Sequence, residues 1–372
     1  MHSLIASPMG DAYAVLRPGS KKSLQIGPTR FAELCGQGEC PSWLVHAGDR
    51  AWGLDLAGTE LEDVVLVRKP SPFGFVRATH EVNLGCNYDC EHCYLGLKKF
   101  EGMPWESREK ALRVLHEAGV LWLQLTGGEP LVDRFFPGVY RRAFELGMMI
   151  SILSNGSRLH AAPILDLLTE HRPHSITVSV YGATQESYDA LTRRPGAFKG
   201  FIKGVHAAVE AQLPLTFSLI VTHHNANELD AMKALADRLR VPYDVYSNMS
   251  PTIHGTGETL PSQSVEHLRK RKPFTGCNAG HTFFHVDPFG KASICKIGRD
   301  PNVDLLTEGV EGLRRLNEIA DGLLLRQGGC SGCSLQGTCG TCMPLVQLYR
   351  KAQAPLVTYC QHGRPREEVP AT

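Results

Sequence analysis

Between about Ala78 and Met249 the chain alternates short apolar, β-rich runs with amphipathic stretches, at a period near 30 residues. That rhythm is the pattern of repeated βα units. Strands are expected at Thr79–Leu84, Trp122–Thr126, Met149–Ser154, Ser175–Val180, Leu215–Val221 and Tyr243–Asn248. Helices are expected at Ser107–Ala118, Arg134–Leu146, Ala161–Thr169, Ala197–Ala211 and Asn227–Leu239. The first helix shows the reasoning: Ser107 is a candidate cap, Leu112, Leu115 and Ala118 share one face, and Gly119 suits the left-handed residue that ends a helix. Six strands predict an α/β fold, a partial (β/α)6 TIM-like barrel open on one side. Barrels of this kind carry function on the loops after the strand C-termini.

The flanks read differently. Residues 1–75 show Tyr13–Arg17, Trp43–Ala47, Arg50–Leu54 and Val64–Val67 as short strands, with a helix near Thr29–Leu34. They predict a small N-terminal mixed β domain, either a cap on the barrel or a peptide-binding module that uses a strand edge. The βα rhythm stops after Met249, so the barrel is expected over residues 76–255 and a cysteine-rich domain over 256–372.

With 372 residues, 42% hydrophobic and 21% charged, the chain exceeds the roughly 250–300 residues at which a single core stops growing. A net charge of +1 gives no electrostatic reason to expect nucleic acid or an anionic membrane as partner. No apolar run approaches the 18 or so residues of a membrane span, and the first residues lack the basic and apolar regions of a signal peptide. Ten of the twelve cysteines fall in two blocks. With nothing to route the chain outward, thiolate metal ligands in a reducing, cytoplasmic setting explain that distribution better than disulfides.

The first block is Cys86-Asn-Tyr-Asp-Cys90-Glu-His-Cys93, directly after the first predicted barrel strand. Three thiolates at this C-x3-C-x2-C spacing can hold three irons of a cubane and leave the fourth open, as a catalytic zinc keeps an open position. A disulfide pair with a spare thiol, or part of a zinc site, are the competing readings. Thr126-Gly-Gly-Glu-Pro-Leu131 follows the second strand, Ser154-Asn155-Gly156 the third, and Ser179-Val-Tyr-Gly182 ends the fourth. All these motifs fall at the functional end of the barrel.

The cysteine trio and the Gly-Gly-Glu-Pro segment together resemble the radical S-adenosylmethionine (SAM) superfamily. The resemblance implies that the open iron is chelated by SAM, which is cleaved to a 5′-deoxyadenosyl radical. It further implies SAM contacts from Gly127, Gly128 and Glu129, with Glu129 accepting from the methionine ammonium. Ser154, Asn155 and Ser179 are implied for the ribose hydroxyls or the methionine carboxylate, and Arg193, or its neighbour Arg194, for that carboxylate. His92 is expected near adenine and Tyr181 on the substrate side or packed. His223 and His224 are expected as loop residues or substrate contacts.

The second block reads C-x12-G-x4-C from Cys277 through Gly290 to Cys295, then Cys330-x2-Cys333-x5-Cys339-x2-Cys342 and a last Cys360. It resembles the seven-cysteine SPASM extension of radical SAM enzymes, with two residues instead of the usual three between Cys339 and Cys342. By that resemblance Cys277, Cys295 and Cys342 hold a nearer auxiliary cluster, and Cys330, Cys333, Cys339 and Cys360 an outer one. The total is then three [4Fe-4S] clusters, one of them SAM-binding. His281 and His285 are candidates for the missing fourth ligand. A zinc ribbon on Cys330, Cys333, Cys339 and Cys342 is the alternative.

Such enzymes mostly modify ribosomally made peptides. The expected activity is therefore oxidoreductase chemistry on a precursor peptide, a cross-link or an oxidation, with flavodoxin or ferredoxin as electron donor. A radical dehydrogenase or epimerase acting on a small metabolite such as an aminosugar is the second reading. A non-catalytic iron–sulfur or zinc protein is the remote one. Cys35 and Cys40 match neither block.

Overall fold

A computed structural model of the chain describes residues 2–10, 12–96, 98–268 and 272–360. Its larger sheet contains β5 (Arg77–Glu81), β6 (Trp122–Thr126), β7 (Met149–Ser154), β8 (Ser175–Val180), β9 (Leu215–Ile220) and β10 (Tyr243–Tyr246), side by side in chain order. All adjacent pairs among these six are parallel. This is the expected α/β partial barrel. The helices α4 (Trp105–Glu117), α5 (Phe136–Glu145), α6 (Ala162–Glu170), α7 (Gln185–Thr192), α8 (Ala197–Glu210) and α9 (Leu229–Arg238) lie between the strands in sequence.

Strand alternation builds the wall. On β8, Ile176, Val178 and Val180 are fully buried and join the main core with Phe201 of α8 and Phe217 of β9. Thr177 and Ser179, one residue out of step, face a cavity inside the barrel. That period of two is what a strand with an apolar outer face and a hollow inner one requires.

Three details depart from expectation. Pro104, not Ser107, precedes the first turn of α4, and Ser107 lies within the helix. Its end is as expected: Leu112, Leu115 and Ala118 are fully buried and Gly119 has φ of 96°. Helix α7 had no sequence expectation. The first barrel strand ends at Glu81 rather than Leu84: Val82 N–H still reaches the Thr126 carbonyl at the end of β6, but the Asn83 carbonyl accepts from Gly128 N–H in the loop beyond it.

The C-terminal cysteine-rich region is joined to the barrel through its sheet. Strand β11 (Phe283–Val286) pairs parallel to β5, and β12 (Lys291–Ser293) and β13 (Val303–Asp304) follow antiparallel, giving nine strands in all. Helices α10 (Leu305–Glu308), α11 (Arg315–Gly322), α12 (Met343–Lys351) and α13 (Leu356–Tyr359) complete it.

At the other end of the chain, β1 (Leu4–Met9), β2 (Ala12–Leu16), β3 (Ser23–Ile26) and β4 (Val65–Val67) form a separate sheet in the order β3-β2-β1-β4. Helices α1 (Pro28–Leu34), α2 (Ser42–Trp52) and α3 (Leu61–Val64) cover it. The expected strand at Trp43–Ala47 lies inside α2, and the one at Arg50–Leu54 falls on the last residues of that helix and the turn after it, where Gly53 caps it with φ of 62°. Short apolar runs do not distinguish a strand from a half-buried helix. The other face of this sheet packs Ile5, Ala14 and Leu16 on Leu121 and Met149. Arg68 donates to the carbonyls of Val120, Leu146 and Gly147. These contacts lie at the strand-start end of the barrel, away from the cysteine loop.

Candidate active site

The segment after β5 is drawn tightly against the segment after β6. Gly128 N–H donates to the Asn83 carbonyl at 3.0 Å and Glu129 N–H to the Gly85 carbonyl at 2.8 Å. A Cβ on Gly127 or Gly128 would fall 2.3 Å from Asn83 O or 2.1 Å from Gly85 O, and Gly127 has φ of 138°. The paired glycines are thus required by the close approach of two backbones. The Gly128 N–H is committed to this contact.

The cysteine loop is held on three sides. Asn87 donates to Ser157 Oγ at 3.0 Å and accepts from Asn155 Nδ2 at 2.9 Å. Asp89 and Glu91 N–H groups reach the carbonyls of Thr192 and Leu191 at the end of α7. Tyr88 is buried, its hydroxyl donating to Ala197 O at 3.1 Å.

So held, Cys86, Cys90 and Cys93 line a cavity of about 400 Å³ at the C-terminal end of the strands, a size within the range of small-molecule sites. Gly127, Gly128, Ser154, Asn155 and Ser179 line it too, with Thr126, Thr177 and Ser218. His92 stacks obliquely on Tyr181, ring centroids 5.4 Å apart, and both face the cavity. Burial lowers His92 to about 4, keeping the imidazole neutral, and its Nδ1 has no hydrogen-bond partner. Lys98 and Lys296 bring positive charge to the cavity.

Glu129 is fully buried and is not among the cavity-lining residues. Its carboxylate accepts from Asn155 N–H at 2.6 Å, Ser154 Oγ at 2.8 Å and Leu131 N–H at 3.1 Å. Burial pushes its pKa up to about 7 against those three bonds. Among the described residues no cationic side chain makes an ion pair with it. A carboxylate offers about four acceptor positions, so the site has room for one more donor and lacks a positive charge, which fits an ammonium ligand. Arg193 lies elsewhere: it is exposed in the left-handed cap of α7, and its charge acts on Glu91.

The thiols fit a cluster. Burial raises the Cys86 thiol to about 12, with the neighbouring Glu129 and Cys93 adding to it, and raises Cys90 and Cys93 as well. Lys98 is the one cation whose charge acts on all three thiols among the described residues, and it does not offset their burial, which suits thiolates that bind metal cations. Sulfurs arranged tetrahedrally at ~2.3 Å around one zinc would be about 3.8 Å apart. Among the described residues no three cysteine sulfurs lie mutually within 4.8 Å.

The second block separates into two groups. Cys330, Cys333, Cys339 and Cys360 line one small cavity of about 50 Å³ walled by Leu335, Val346 and Leu356. Cys342 instead lies with Cys277 and Cys295, each raising its thiol pKa further after burial. Of the two histidines near Cys277, only His281 has both ring nitrogens committed; His285 Nε2 makes no hydrogen bond. His281 bonds Asp321 at 3.0 Å and Arg326 at 2.8 Å through its two nitrogens. His285 bonds Thr79 at 2.9 Å and sets its other nitrogen 3.6 Å from Glu81.

The Radical SAM superfamily family model matches residues 81–237. The chain carries a radical SAM domain. It is 28% identical over 162 residues to the PqqA peptide cyclase of Rhizobium meliloti, covering 44% of this chain and 43% of that one. Against the mycofactocin maturase MftC of Mycobacterium ulcerans it is 26% identical over 311 residues, 71% of this chain and 82% of that one. An AdoMet-dependent heme synthase of Methanosarcina barkeri matches at 27% over 179 residues, 47% of this chain and 51% of that one. For the cyclase and the heme synthase the match therefore spans about half of the relative. Streptococcus suis SuiB bound to precursor peptide SuiA has the same fold, with a TM-score of 0.63 at 13% identity over 91% of this chain and 93% of that one. The structure named anSMEcpe, with bound AdoMet, gives 0.53 at 12% identity over 74% of this chain and 92% of that one. The radical SAM family uses SAM and a [4Fe-4S] cluster.

Of the polar lining of the barrel, Thr177 and Ser218 were missed in the sequence. Thr177 and Ser179 alternate with Ile176, Val178 and Val180, and Ser218 sits between Phe217 and Leu219. That alternation was the available signal, since a filled barrel would place branched apolar residues there.

Proposed function

We propose that this protein is a radical SAM maturase of a ribosomally synthesised peptide, introducing a cross-link or an oxidation. The observation that carries the reading is the shared cavity: the three cysteines, the paired glycines and the Ser154–Asn155 turn line one space at the open end of the barrel. Cys86, Cys90 and Cys93 would hold the SAM-binding cluster, and bound SAM would supply a 5′-deoxyadenosyl radical. Glu129 would take the methionine ammonium, with Ser154 and Asn155 keeping its carboxylate oriented. Ser154, Asn155 and Ser179 would bond ribose hydroxyls or the methionine carboxylate; Arg193, exposed outside the cavity, would act on the field of the cluster loop through Glu91. Neutral His92 offers an apolar ring to the adenine.

Two auxiliary [4Fe-4S] clusters, on Cys277, Cys295 and Cys342 and on Cys330, Cys333, Cys339 and Cys360, would provide a path for the electron lost in an oxidative reaction. Flavodoxin or ferredoxin would supply the priming electron, in the cytoplasm. The peptide substrate is supported by the cyclase and maturase relatives and by the fold shared with SuiB. Cross-linking or oxidation is favoured over epimerisation because Cys35 and Cys40 belong to the domain at the strand-start end. Neither is positioned to return a hydrogen atom to a radical at the opposite end. The N-terminal sheet caps the barrel base, and its exposed β3 edge is available for a leader segment to extend the sheet.

The test is anaerobic incubation of reconstituted protein with SAM, a reductant and the short peptide encoded beside its gene. The expected result is 5′-deoxyadenosine together with a peptide lighter by two hydrogens. Deoxyadenosine formation stimulated by a small metabolite and not by the peptide would move the assignment to a small-molecule dehydrogenase.

A further inference from the structure

Outside the SAM cavity, the cysteine loop meets the turn after β9. Glu91, between two cluster cysteines, accepts from His224 Nε2 at 2.7 Å through its carboxylate. The adjacent His223 ring lies with its centroid 4.0 Å from that of His224. One donor atom from each of Glu91, His223 and His224 lies within 4.8 Å of the other two, and among the described residues no other trio of histidine, cysteine or carboxylate groups converges so closely.

The turn that presents the histidines is built in advance. Fully buried Asn225 accepts from Thr222 N–H at 2.8 Å and donates to the carbonyls of Tyr181 and Ile220. His223 N–H donates to Ser262 O at 3.0 Å. Glu91 is fixed from the other side by its N–H bond to Leu191 O. The three donors thus come from two rigid backbones, while exposed His223 and partly exposed His224 and Glu91 leave an approach from solvent.

We infer that Glu91, His223 and His224 form a mononuclear site for a divalent transition metal of the zinc class, separate from the clusters, that staples the cluster loop to the β9 turn. Two imidazoles and one carboxylate suit borderline ions such as zinc, with water completing the shell. Oxygen-preferring magnesium and calcium are poorly served by two nitrogens. Because Glu91 is one residue from Cys90 and two from Cys93, an ion here fixes the segment that carries the cluster.

The site is tested on anaerobically reconstituted full-length protein, titrated with zinc, desalted and examined by zinc X-ray absorption, with iron measured on the same samples. One zinc per chain is expected, with only nitrogen and oxygen at about 2.0–2.1 Å, and His223→Ala/His224→Ala should lose it at unchanged iron content. Should that variant fail to take up iron, Glu91→Gln carries the comparison, and zinc retention should fall at least tenfold. The inference is overturned by no zinc in the wild-type protein, by a shell containing sulfur at about 2.3 Å, or by equal zinc in an iron-loaded variant.

Discussion

Arg299 holds Glu81 by two parallel bonds, Nη1 to Oε2 at 2.9 Å and Nη2 to Oε1 at 2.7 Å, across 218 residues of sequence. Glu81 ends β5, the strand that feeds the cysteine loop, and Arg299 follows Cys295 by four positions. Tyr94, one residue beyond Cys93, donates to the same carboxylate at 3.4 Å, and Lys296 lies 5.2 Å over the Tyr94 ring. The radical-cluster loop and the first auxiliary segment are therefore fixed to each other through one buried acid.

Glu81→Gln removes the buried carboxylate and leaves the Arg299 guanidinium, 17% exposed, without its partner. The variant is expected to be destabilised by about 3 kcal/mol, the low end of the cost of removing one partner of a buried ion pair. Denaturant unfolding of the iron-free protein measures it; a change below about 1 kcal/mol would mean that the pair is dispensable. The pair also predicts acid sensitivity. Burial opposes ionisation, but His285 and Arg299 outweigh it and bring Glu81 down to about 2 from 4.5. Its contribution is complete above about 4.5 and fades as pH falls toward 2, by about 3 kcal/mol in all. The Gln variant should show a flatter stability profile in that window.

Glu129 has the opposite shift and a different consequence. With its acid form favoured up to about 7, binding a cationic ammonium requires loss of a proton at lower pH. SAM affinity should therefore weaken about tenfold from pH 8 to pH 6. Glu129→Gln should bind SAM roughly ten- to a hundred-fold more weakly, the worth of a charge-assisted hydrogen bond, with no pH dependence in this range. Calorimetric titration at several pH values checks both; wild-type affinity independent of pH would remove Glu129 from the ammonium site.

The two cysteine blocks predict a metal count. Reconstituted protein should carry about twelve irons, as three cubanes. Replacing Cys86, Cys90 and Cys93 together by alanine should remove about four and abolish 5′-deoxyadenosine formation. Stoichiometric zinc in the C-terminal region, with only four irons per chain, would restore the zinc-ribbon reading of Cys330, Cys333, Cys339 and Cys342.

Much of the fold was legible because the barrel repeats one simple unit. Three of its strands, Trp122–Thr126, Met149–Ser154 and Ser175–Val180, begin and end where the apolar alternation does. Helix α2 was misread as two strands because Leu44 and Gly48 are its only buried residues, too few to impose a helical period. The pairing of β11 with β5 was invisible for a different reason. It joins Phe283 to Arg77 across more than half of the chain, and a four-residue strand carries no mark of its neighbour. At the site, residue types were readable but orientations were not. Nothing in Gly-Gly-Glu-Pro says that the carboxylate turns toward Ser154 and Asn155 N–H, or that the glycines serve contact between two backbones.

The nearer auxiliary group supplies the last prediction. Cys277, Cys295 and Cys342 lie together, and Cys35 and Cys40 sit in the N-terminal domain at the strand-start end. His281 is held between Asp321 and Arg326, and His285 between Thr79 and Glu81. Among the described residues no further cysteine joins these three and His281 is already bonded through both nitrogens, so a cubane here is expected to take water or a substrate group as its fourth ligand. His281→Ala should leave the iron content unchanged, and pulsed electron paramagnetic resonance should find no directly bound imidazole nitrogen on either auxiliary cluster. A small added thiol should alter the signal of one auxiliary cluster and leave the other, enclosed by four cysteines, as it was. Strong nitrogen coupling that disappears in the His281 variant would overturn this assignment and require that histidine to leave Asp321 when iron is bound.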